Sequence, residues 1–212
     1  MPNSVTSDEQ TARAYLETKF GSETVAPLER YVELLLTENR SQNLISKPSE
    51  SAIWQRHIVD SAQLLEFVPR ETFEVSSKAP WLDLGSGPGL PGLVIATIRP
   101  QWPVILVESR KRRVAFLEDC IDRLQLQHCS VIGERLEQIE PFEAQVISAR
   151  AFAPLTKLLR LSAPFSTRTT RYLLPKGRSA AHELAEAKPK VRKMFHVEQS
   201  LTDPDAGIIV SR

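Results

Sequence analysis

The chain has 212 residues, of which 42% are hydrophobic and 25% are charged, a composition typical of a soluble globular protein. No run of eighteen apolar residues exists and Met1–Ser4 lacks a signal-peptide pattern, so we expect neither a membrane-spanning nor a secreted protein. The net charge of +1 predicts no polyanionic partner by itself, and the length allows one core plus a small extension. Cys120 and Cys129 lack metal-ligand spacing, which predicts buried thiols in a reducing cytoplasm and no metal site.

The N-terminal part of the chain reads as helices. Residues 10–20 and 25–39 predict two helices, the second with apolar positions near helical spacing. A third helix is expected from a cap near Ser46 to about Phe67. We therefore expect a helical extension over residues 1–79 that depends on its neighbours for stability.

From residue 80 onward, strands and helices alternate. Strands are expected at 81–84, 104–107, 129–132, 144–148, 171–174, 191–198 and 206–211. Helices are expected after the first, second, fourth and fifth strands and a turn at 133–137 after the third, and the last two strands are adjacent enough to form a hairpin. The region 80–212 therefore predicts an α/β fold with a Rossmann-like sheet of seven strands.

The organising stretch is residues 81–92, which read WLDLGSGPGLPG. A short apolar run breaks into alternating glycines, and an apolar helical segment follows. Strand, tight turn and helix open an α/β sheet that binds nucleotide-like ligands at the carboxyl ends of its strands. Glycine permits positive φ there and lets the main chain approach a ligand closely.

Two kinds of cofactor fit this loop. Residues 87–92 satisfy the pattern G-x-G-x-x-G, so a nicotinamide dinucleotide has to be considered. A pyrophosphate needs free N–H groups at the helix start, whereas Pro88 and Pro91 each remove one. S-adenosyl-L-methionine has no phosphate, and its cationic sulfonium and amino groups suit a nearby carboxylate such as Asp83. The loop favours this methyl donor and leaves the dinucleotide as the alternative.

The second strand ends in Glu108, about twenty residues after the loop, where an acidic residue accepts hydrogen bonds from ribose hydroxyls. Both cofactors carry a ribose, so Glu108 supports the fold more than the choice of ligand. A surface glutamate at a strand end is the alternative interpretation.

The charge of the chain is unevenly distributed. Residues 150–193 contain eleven Lys and Arg residues against two acidic ones, a segment charge of +9, and the remainder of the chain carries −8. A basic region on an otherwise acidic chain is typical of a nucleic-acid-binding face. Solvated helix faces with a lysine-rich loop would give the same count.

The sequence resembles the bacterial RsmG family, also called glucose-inhibited division protein B, nearly from end to end. The resemblance lies in Asn43-Leu44, in RHIVDS at 56–61, in DLGSGPGLPG at 83–92, in SARAF at 148–152 and in Lys176-Gly177. Ser86 stands where the family often has threonine, Glu108 where aspartate is common, and an alanine interrupts the usual serine–arginine pair before Phe152.

The resemblance implies a class I methyltransferase that transfers a methyl group from S-adenosyl-L-methionine to N7 of a guanine in 16S ribosomal RNA. The expected partner is this RNA or the small ribosomal subunit, and a monomer is expected. By matching motif positions, the family implies cofactor contacts at Gly85, Leu90, Leu136, Glu137 and Arg150. The loop and the second strand add Asp83, Ser86, Gly87, Gly89 and Glu108 to the predicted cofactor site.

Guanine N7 carries a lone pair and no proton, so its methylation needs orientation rather than a general base. Arg150 is the candidate catalytic residue because a cation can orient the purine through O6, although it could instead bind only the cofactor carboxylate. Lys176 is a candidate contact for RNA or a plain strand-end lysine. His57 and Asp60, three apart on one helix face, are substrate candidates or a buried pair that joins the extension to the sheet.

Two absences favour a ring nitrogen as the acceptor. No N-P-P-Y-like segment follows the fourth strand to bind an exocyclic amine, and neither cysteine lies at the carboxyl end of a strand to act as a nucleophile. A nicotinamide-dependent oxidoreductase and a non-catalytic rRNA-binding assembly factor stay open as alternative functions.

Overall fold

The computed structural model describes residues 8–69 and 79–212. Helices α1 to α3 are Glu9–Phe20, Val25–Gln42 and Lys47–Glu50. Helix α4, residues 54–67, consists of a π-helix Trp54–Val59, an α-helical turn Asp60–Ala62 and a 3-10 turn Gln63–Phe67. Helices α5 to α9 are Gly92–Ile98, Lys111–Arg123, Leu155–Ser162, Ala180–Glu186 and Pro189–Met194. Strands β1 to β7 are Trp81–Leu84, Val104–Val107, Cys129–Ile132, Val146–Ser148, Arg171–Gly177, Phe195–Gln199 and Gly207–Ser211.

The seven strands form one sheet in the order β3-β2-β1-β4-β5-β7-β6. Strands β1 to β5 are parallel, whereas β7 is antiparallel to both β5 and β6. The strand order reverses between β1 and β4, which opens a crevice at their carboxyl ends where open α/β sheets bind ligands. The predicted α/β fold with a Rossmann-like seven-stranded sheet is confirmed.

Apolar side chains alternate between the two faces of the sheet. On one face, Trp81 packs with α5, α6 and apolar residues of α1, α2 and α4. On the other face, Leu82 and Leu84 pack with α7 and the 3-10 turn Ala163–Phe165. The helical extension therefore shares one core with the sheet, because its apolar residues join the cluster on the first face. The division at residue 79 stays a prediction, and its boundary lies next to residues 70–78, outside the described residues.

The sequence predicted one continuous third helix up to about Phe67, and this prediction is wrong, because two helices occupy the segment. Helix α3 ends at Glu50, and α4 begins afresh at Trp54. The carboxylate of Glu9 in α1 accepts hydrogen bonds from the backbone N–H groups of Trp54 (3.0 Å) and Gln55 (3.1 Å). Backbone N–H groups at a helix start lack intrahelical partners, so this distant side chain supports a second helix start that local sequence does not reveal.

The predicted strand 191–198 is wrong over its first four residues, which belong to α9. Lys188 is extended, and Pro189 occupies the first turn, where its fixed φ suits a helix. Lysine and arginine, which favour helices, then dominate the segment up to Met194. Strand β6 begins only at Phe195 and pairs with β7 as the predicted hairpin.

Gly92, at the start of α5, leaves no room for a side chain. A Cβ there would lie 2.1 Å from Leu106 Cδ2 and 2.9 Å from Asp83 Oδ2. We expect Gly92→Ala to lower the free energy of unfolding by about 1–3 kcal/mol, because α5 has to move away from the sheet. Denaturant titration measures this, with Gly133→Ala as the control, since its Cβ would meet Val114 at an ordinary 3.4 Å. Equal midpoints for the two variants would contradict the steric argument.

Candidate active site between the helical extension and the sheet

In the glycine loop between β1 and α5, backbone N–H groups are bonded to acceptors within the protein. From residue 86 to residue 92, every backbone N–H bonds within the protein: Ser86 to Val107 O (3.0 Å), Gly87 to Glu108 Oε2 (3.1 Å), Gly89 to Ser86 O (2.7 Å), Leu90 to Ser86 O (3.1 Å) and Gly92 to Asp83 Oδ2 (3.2 Å). Pro88 and Pro91 have no N–H. Residues 86–92 thus offer no free N–H donor to a pyrophosphate, which disfavours the dinucleotide.

Gly85 begins this loop with φ 66°, in the left-handed region. A Cβ at this position would lie 2.6 Å from Cδ2 of Phe152, which follows β4. The missing side chain therefore allows the Phe152 ring to pack directly over the carboxyl end of β1. Both residues line a cavity of about 330 Å³ at this edge of the sheet.

This cavity, which we call the loop cavity, contains part of the predicted cofactor site. Gly85, Glu108, Leu136 and Glu137 line it. The other predicted cofactor residues of β1 and the loop are buried and do not line the cavity, namely Asp83, Ser86, Gly87, Gly89 and Leu90. Arg150 lines a neighbouring cleft instead. Sequence reasoning missed Phe152 and Arg113 on the cavity wall; the basic run at 110–113 was the available signal for Arg113.

Glu108 is buried at the cavity and tightly held. Its carboxylate accepts hydrogen bonds from the backbone N–H groups of Gly87, Ser109 and Arg110 at 3.1, 2.8 and 2.9 Å. Arg113 Nη1 lies 3.6 Å from its Oε2. A carboxylate has about four lone-pair sites, so limited capacity is left for a ribose hydroxyl. Its predicted ribose contact stays a prediction.

Asp83 lies entirely inside the protein, beneath the loop. Ser148 Oγ donates to Oδ1 (2.7 Å) and the N–H of Gly92 donates to Oδ2 (3.2 Å), while Trp81 Nε1 donates to Ser148 Oγ (2.7 Å). Burial raises the pKa of Asp83 to about 6, although these hydrogen bonds oppose the shift. The carboxyl group thus joins β1, β4 and α5, and both of its oxygens are bonded to protein groups.

A larger cleft of about 960 Å³ lies on the other side of the segment 151–153. Residues 151–153 line both the cleft and the loop cavity, so this segment is their shared wall. Arg150, His57, Asp60 and Lys176 all line the cleft. The structure therefore brings together the candidate catalytic residue and all three candidate substrate residues.

Arg150 is held by both candidate residues of α4. Its Nη1 donates to Asp60 Oδ2 (3.2 Å), and its Nη2 donates to His57 Nδ1 (2.8 Å). A guanidinium can only donate, so Nδ1 accepts and the imidazole proton resides on Nε2, which is 2.9 Å from Ser49 Oγ. Burial, together with the charges of Arg150 and Arg56, lowers the pKa of His57 to about 3. His57 is therefore neutral at physiological pH.

Asp60 ties three parts of the chain together. Besides Arg150, it accepts hydrogen bonds at Oδ1 from Gln63 Nε2 (2.9 Å) and Thr202 Oγ1 (3.0 Å). Burial raises the pKa of Asp60, and the opposing influence of Arg150 comes second. Thr202 lies in the connection between β6 and β7. His57 and Asp60 thus join the helical extension to the sheet through Arg150.

Lys176, at the end of β5, supports the shared wall. Its Nζ donates to the carbonyl of Ala153 (2.6 Å) and lies 3.1 Å from Glu183 Oε2. The Lys176 side chain is only 8% exposed. Its predicted contact with RNA stays a prediction.

Residues 24–206 match the model of the GidB family, described as rRNA small subunit methyltransferase G. The chain belongs to this family. The Ribosomal RNA small subunit methyltransferase G of Erythrobacter litoralis is 54% identical over 204 residues, which cover 96% of both chains. The protein of the same name from Sphingopyxis alaskensis is 51% identical over 205 residues, which cover 96% of this chain and 85% of that protein. The predicted family is thereby confirmed.

Two solved structures share the fold. Cofactor-bound Rv0187 from MTB aligns with a TM-score of 0.62 over 97% of this chain and 98% of its own, at 9% identity. A variant of MtNAS in complex with S-adenosylmethionine aligns with a TM-score of 0.55 over 99% of this chain and 86% of its own, at 15% identity. Within residues 8–69 and 79–212, no helix combines the length and the apolar character needed to cross a membrane.

In this member of the GidB family, the extension also contacts the glycine loop through Tyr31 of α2. The fully buried hydroxyl of Tyr31 donates to the carbonyl of Pro88 (2.8 Å). Sequence reasoning missed this residue, because a tyrosine on the buried side of an amphipathic helix gives no signal of its polar partner. The loop that borders the cavity is therefore held from the side of the extension as well as from the sheet.

Removing the Tyr31 hydroxyl is expected to weaken cofactor binding. In Tyr31→Phe, the Pro88 carbonyl loses its donor, which costs about 1 kcal/mol of stability and loosens the loop. Isothermal titration with S-adenosylmethionine should then give a Kd raised by about fivefold, because the loosened loop borders the loop cavity. Tyr172→Phe is the matched control, since its hydroxyl bonds Ser162 on the other face of the sheet (3.0 Å). Equal Kd values for the two variants would contradict a role of Tyr31 in the loop.

Proposed function

We propose that this chain is an S-adenosyl-L-methionine-dependent methyltransferase that methylates N7 of a guanine in 16S ribosomal RNA. The proposal rests on two neighbouring hollows that share the wall 151–153. One is the loop cavity, beside a glycine loop whose N–H groups from residue 86 to residue 92 are all bonded within the protein, and the other is the cleft lined by Arg150. The relatives named as small-subunit rRNA methyltransferases support the same activity. We place the enzyme in the cytoplasm as a monomer that acts on ribosomal RNA or the small subunit.

The residues of the loop cavity fit the methyl donor. Gly85, Glu108, Leu136 and Glu137 would hold it, with an apolar side at Leu136 and acidic groups at Glu108 and Glu137. S-adenosylmethionine supplies a methyl group on a positively charged sulfur. Because the N–H groups of residues 86–92 are already bonded within the protein, this loop suits a phosphate-free cofactor better than a dinucleotide diphosphate.

The hydrogen bonds around Arg150 suit an acceptor that has no proton to lose. The Nδ1 lone pair of His57 is used by Arg150, and its Nε2 carries the proton, so this imidazole has no free basic nitrogen. A guanidinium has five N–H donors, and the bonds to Asp60 and His57 leave others for a purine edge. Arg150 would donate to O6, so that N7 is oriented toward the loop cavity.

His57 and Asp60 act on the reaction through Arg150, as positioning residues. Lys176 positions the shared wall 151–153, because its ammonium group donates a hydrogen bond to the carbonyl of Ala153. Rigid support of this kind matters because methyl transfer to a lone pair is accelerated mainly by alignment of the reacting atoms.

Nucleoside mass spectrometry of 16S ribosomal RNA tests the function directly. RNA from cells that lack this gene should lose one 7-methylguanosine, and the intact gene should restore it. An unchanged amount of 7-methylguanosine would overturn the proposed substrate. A gene encoding Arg150→Met separates catalysis from assembly: if it restores subunit profiles without the methyl group, the chain has a non-catalytic role in assembly.

A further inference from the structure

A basic cluster lies away from the candidate active site, on and beside α9. Four of the six residues 188–193 are Lys or Arg and none is acidic, and all four are exposed. Two of them, Arg192 and Lys193, border an open depression of about 510 Å³ together with Arg212. We call Lys188, Lys190, Arg192, Lys193 and Arg212 the α9 cluster. Within residues 8–69 and 79–212, none of these five side chains forms an ion pair with a carboxylate.

Strand pairing places the α9 cluster at the opposite edge of the sheet from the cleft. Phe195, directly after α9, pairs with Ser211, whereas Gln199 pairs with Gly207. Gly207 in turn pairs with Gly177, at the end of β5 that borders the cleft. The cluster therefore lies near the start of β5, about 20 Å from the cleft at the usual rise of about 3.3 Å per strand residue.

Three further cations of the basic segment are already paired near the cleft. Arg150 is paired with Asp60, Lys176 with Glu183, and the exposed Arg178 with Asp205. These three cations therefore differ from the four in residues 188–193, which lie together and have no carboxylate partner within the described part of the chain. Lysines on flexible stems act as point charges, which suits phosphate groups rather than base edges.

We propose that the α9 cluster binds phosphates of a second segment of ribosomal RNA while the cleft holds the segment with the methylated guanine. This inference rests on the proposed function. The separation of about 20 Å equals about six stacked base pairs, so the nucleotides held in the cleft do not themselves reach the cluster. The enzyme therefore contacts its RNA at two places, and the cluster contributes affinity without sequence specificity.

A charge-matched pair of double variants tests the inference. The first combines Lys190→Gln and Lys193→Gln in the cluster. The control combines Lys19→Gln and Arg123→Gln, which remove the same charge from exposed cations that already pair with Glu66 and Asp119. Filter binding to a protein-free 16S transcript is measured from low to high salt, so binding is followed independently of methyl transfer.

The cluster variant should bind the transcript about tenfold more weakly at moderate salt, since it loses phosphate contacts. Its slope of log K against log salt should decrease by about 2, one for each lysine. The kcat at saturating RNA should be unchanged, with the whole effect in KM. Equal slopes for the cluster variant and the control would overturn the proposal. So would a loss seen only with assembled subunits, because the partner would then be a ribosomal protein. A failure of the proposed methylation would appear as absent product with unchanged binding.

Discussion

Arg150→Met is expected to lower kcat for methyl transfer to 16S ribosomal RNA by about 10²–10³-fold, the usual loss when a preorganised donor is removed. Methionine keeps an unbranched side chain in the cleft but provides no donor for O6 of the purine. It also leaves Asp60 without its cation and His57 Nδ1 without a donor. Single-turnover transfer of a labelled methyl group measures the chemical step, and thermal unfolding measures the accompanying loss of stability.

Arg171→Met is the matched control for the loss of stability. Arg171 also joins the sheet to the extension, since its Nε donates to the carbonyl of Phe67 (3.2 Å), but it lies at the start of β5, away from the cleft. We expect this variant to lose stability and to keep its kcat. If the two variants lost kcat in equal measure, Arg150 would be structural and its role in orienting guanine would be wrong.

The fold could be predicted because its determinants are local. All four residues of β1 are buried, and the sequence shows this as a short apolar run interrupted only by Asp83 before the glycines. Alternation of such runs with helical segments then suffices for a parallel sheet. Local sequence failed at 191–194, which were predicted as the start of a strand, whereas the structure has a helix that begins at Pro189.

The sequence indicated which residues belong to the site, but not the hydrogen bonds that join them. Arg150 bonds to residues 90 and 93 positions earlier in the chain, and Asp60 to Thr202, 142 positions later. No periodicity encodes such pairings, because tertiary packing alone brings these elements together. Pro88 and Pro91 did predict that two N–H donors are missing from the loop. Only the structure shows that other N–H groups of the loop, such as those of Gly87 and Gly92, are bonded to side chains within the protein.

Asp83 is expected to make the protein less stable as pH rises from about 4 to about 6. Its pKa in the folded protein is about 6, against 3.8 for an unperturbed aspartate. Below pH 4 both states are protonated. Between the two values only the unfolded chain releases the proton, so the unfolded state is favoured as pH rises, and above pH 6 the loss is complete. The pKa difference corresponds to about 3 kcal/mol.

Urea denaturation at several pH values, compared between the wild type and Asp83→Asn, isolates this contribution. Asparagine does not ionise, so the stability difference between the two proteins should change by up to about 3 kcal/mol over this range, while other carboxyl groups cancel. Ser148→Ala provides a graded test, because the hydrogen bond from Ser148 lowers the pKa of Asp83. Without this bond the fall in stability should extend to higher pH. If the stability of the wild type and of Asp83→Asn changed with pH in parallel, Asp83 would have the same pKa in the folded and unfolded states. The carboxyl group that links β1, β4 and α5 would then not have a raised pKa.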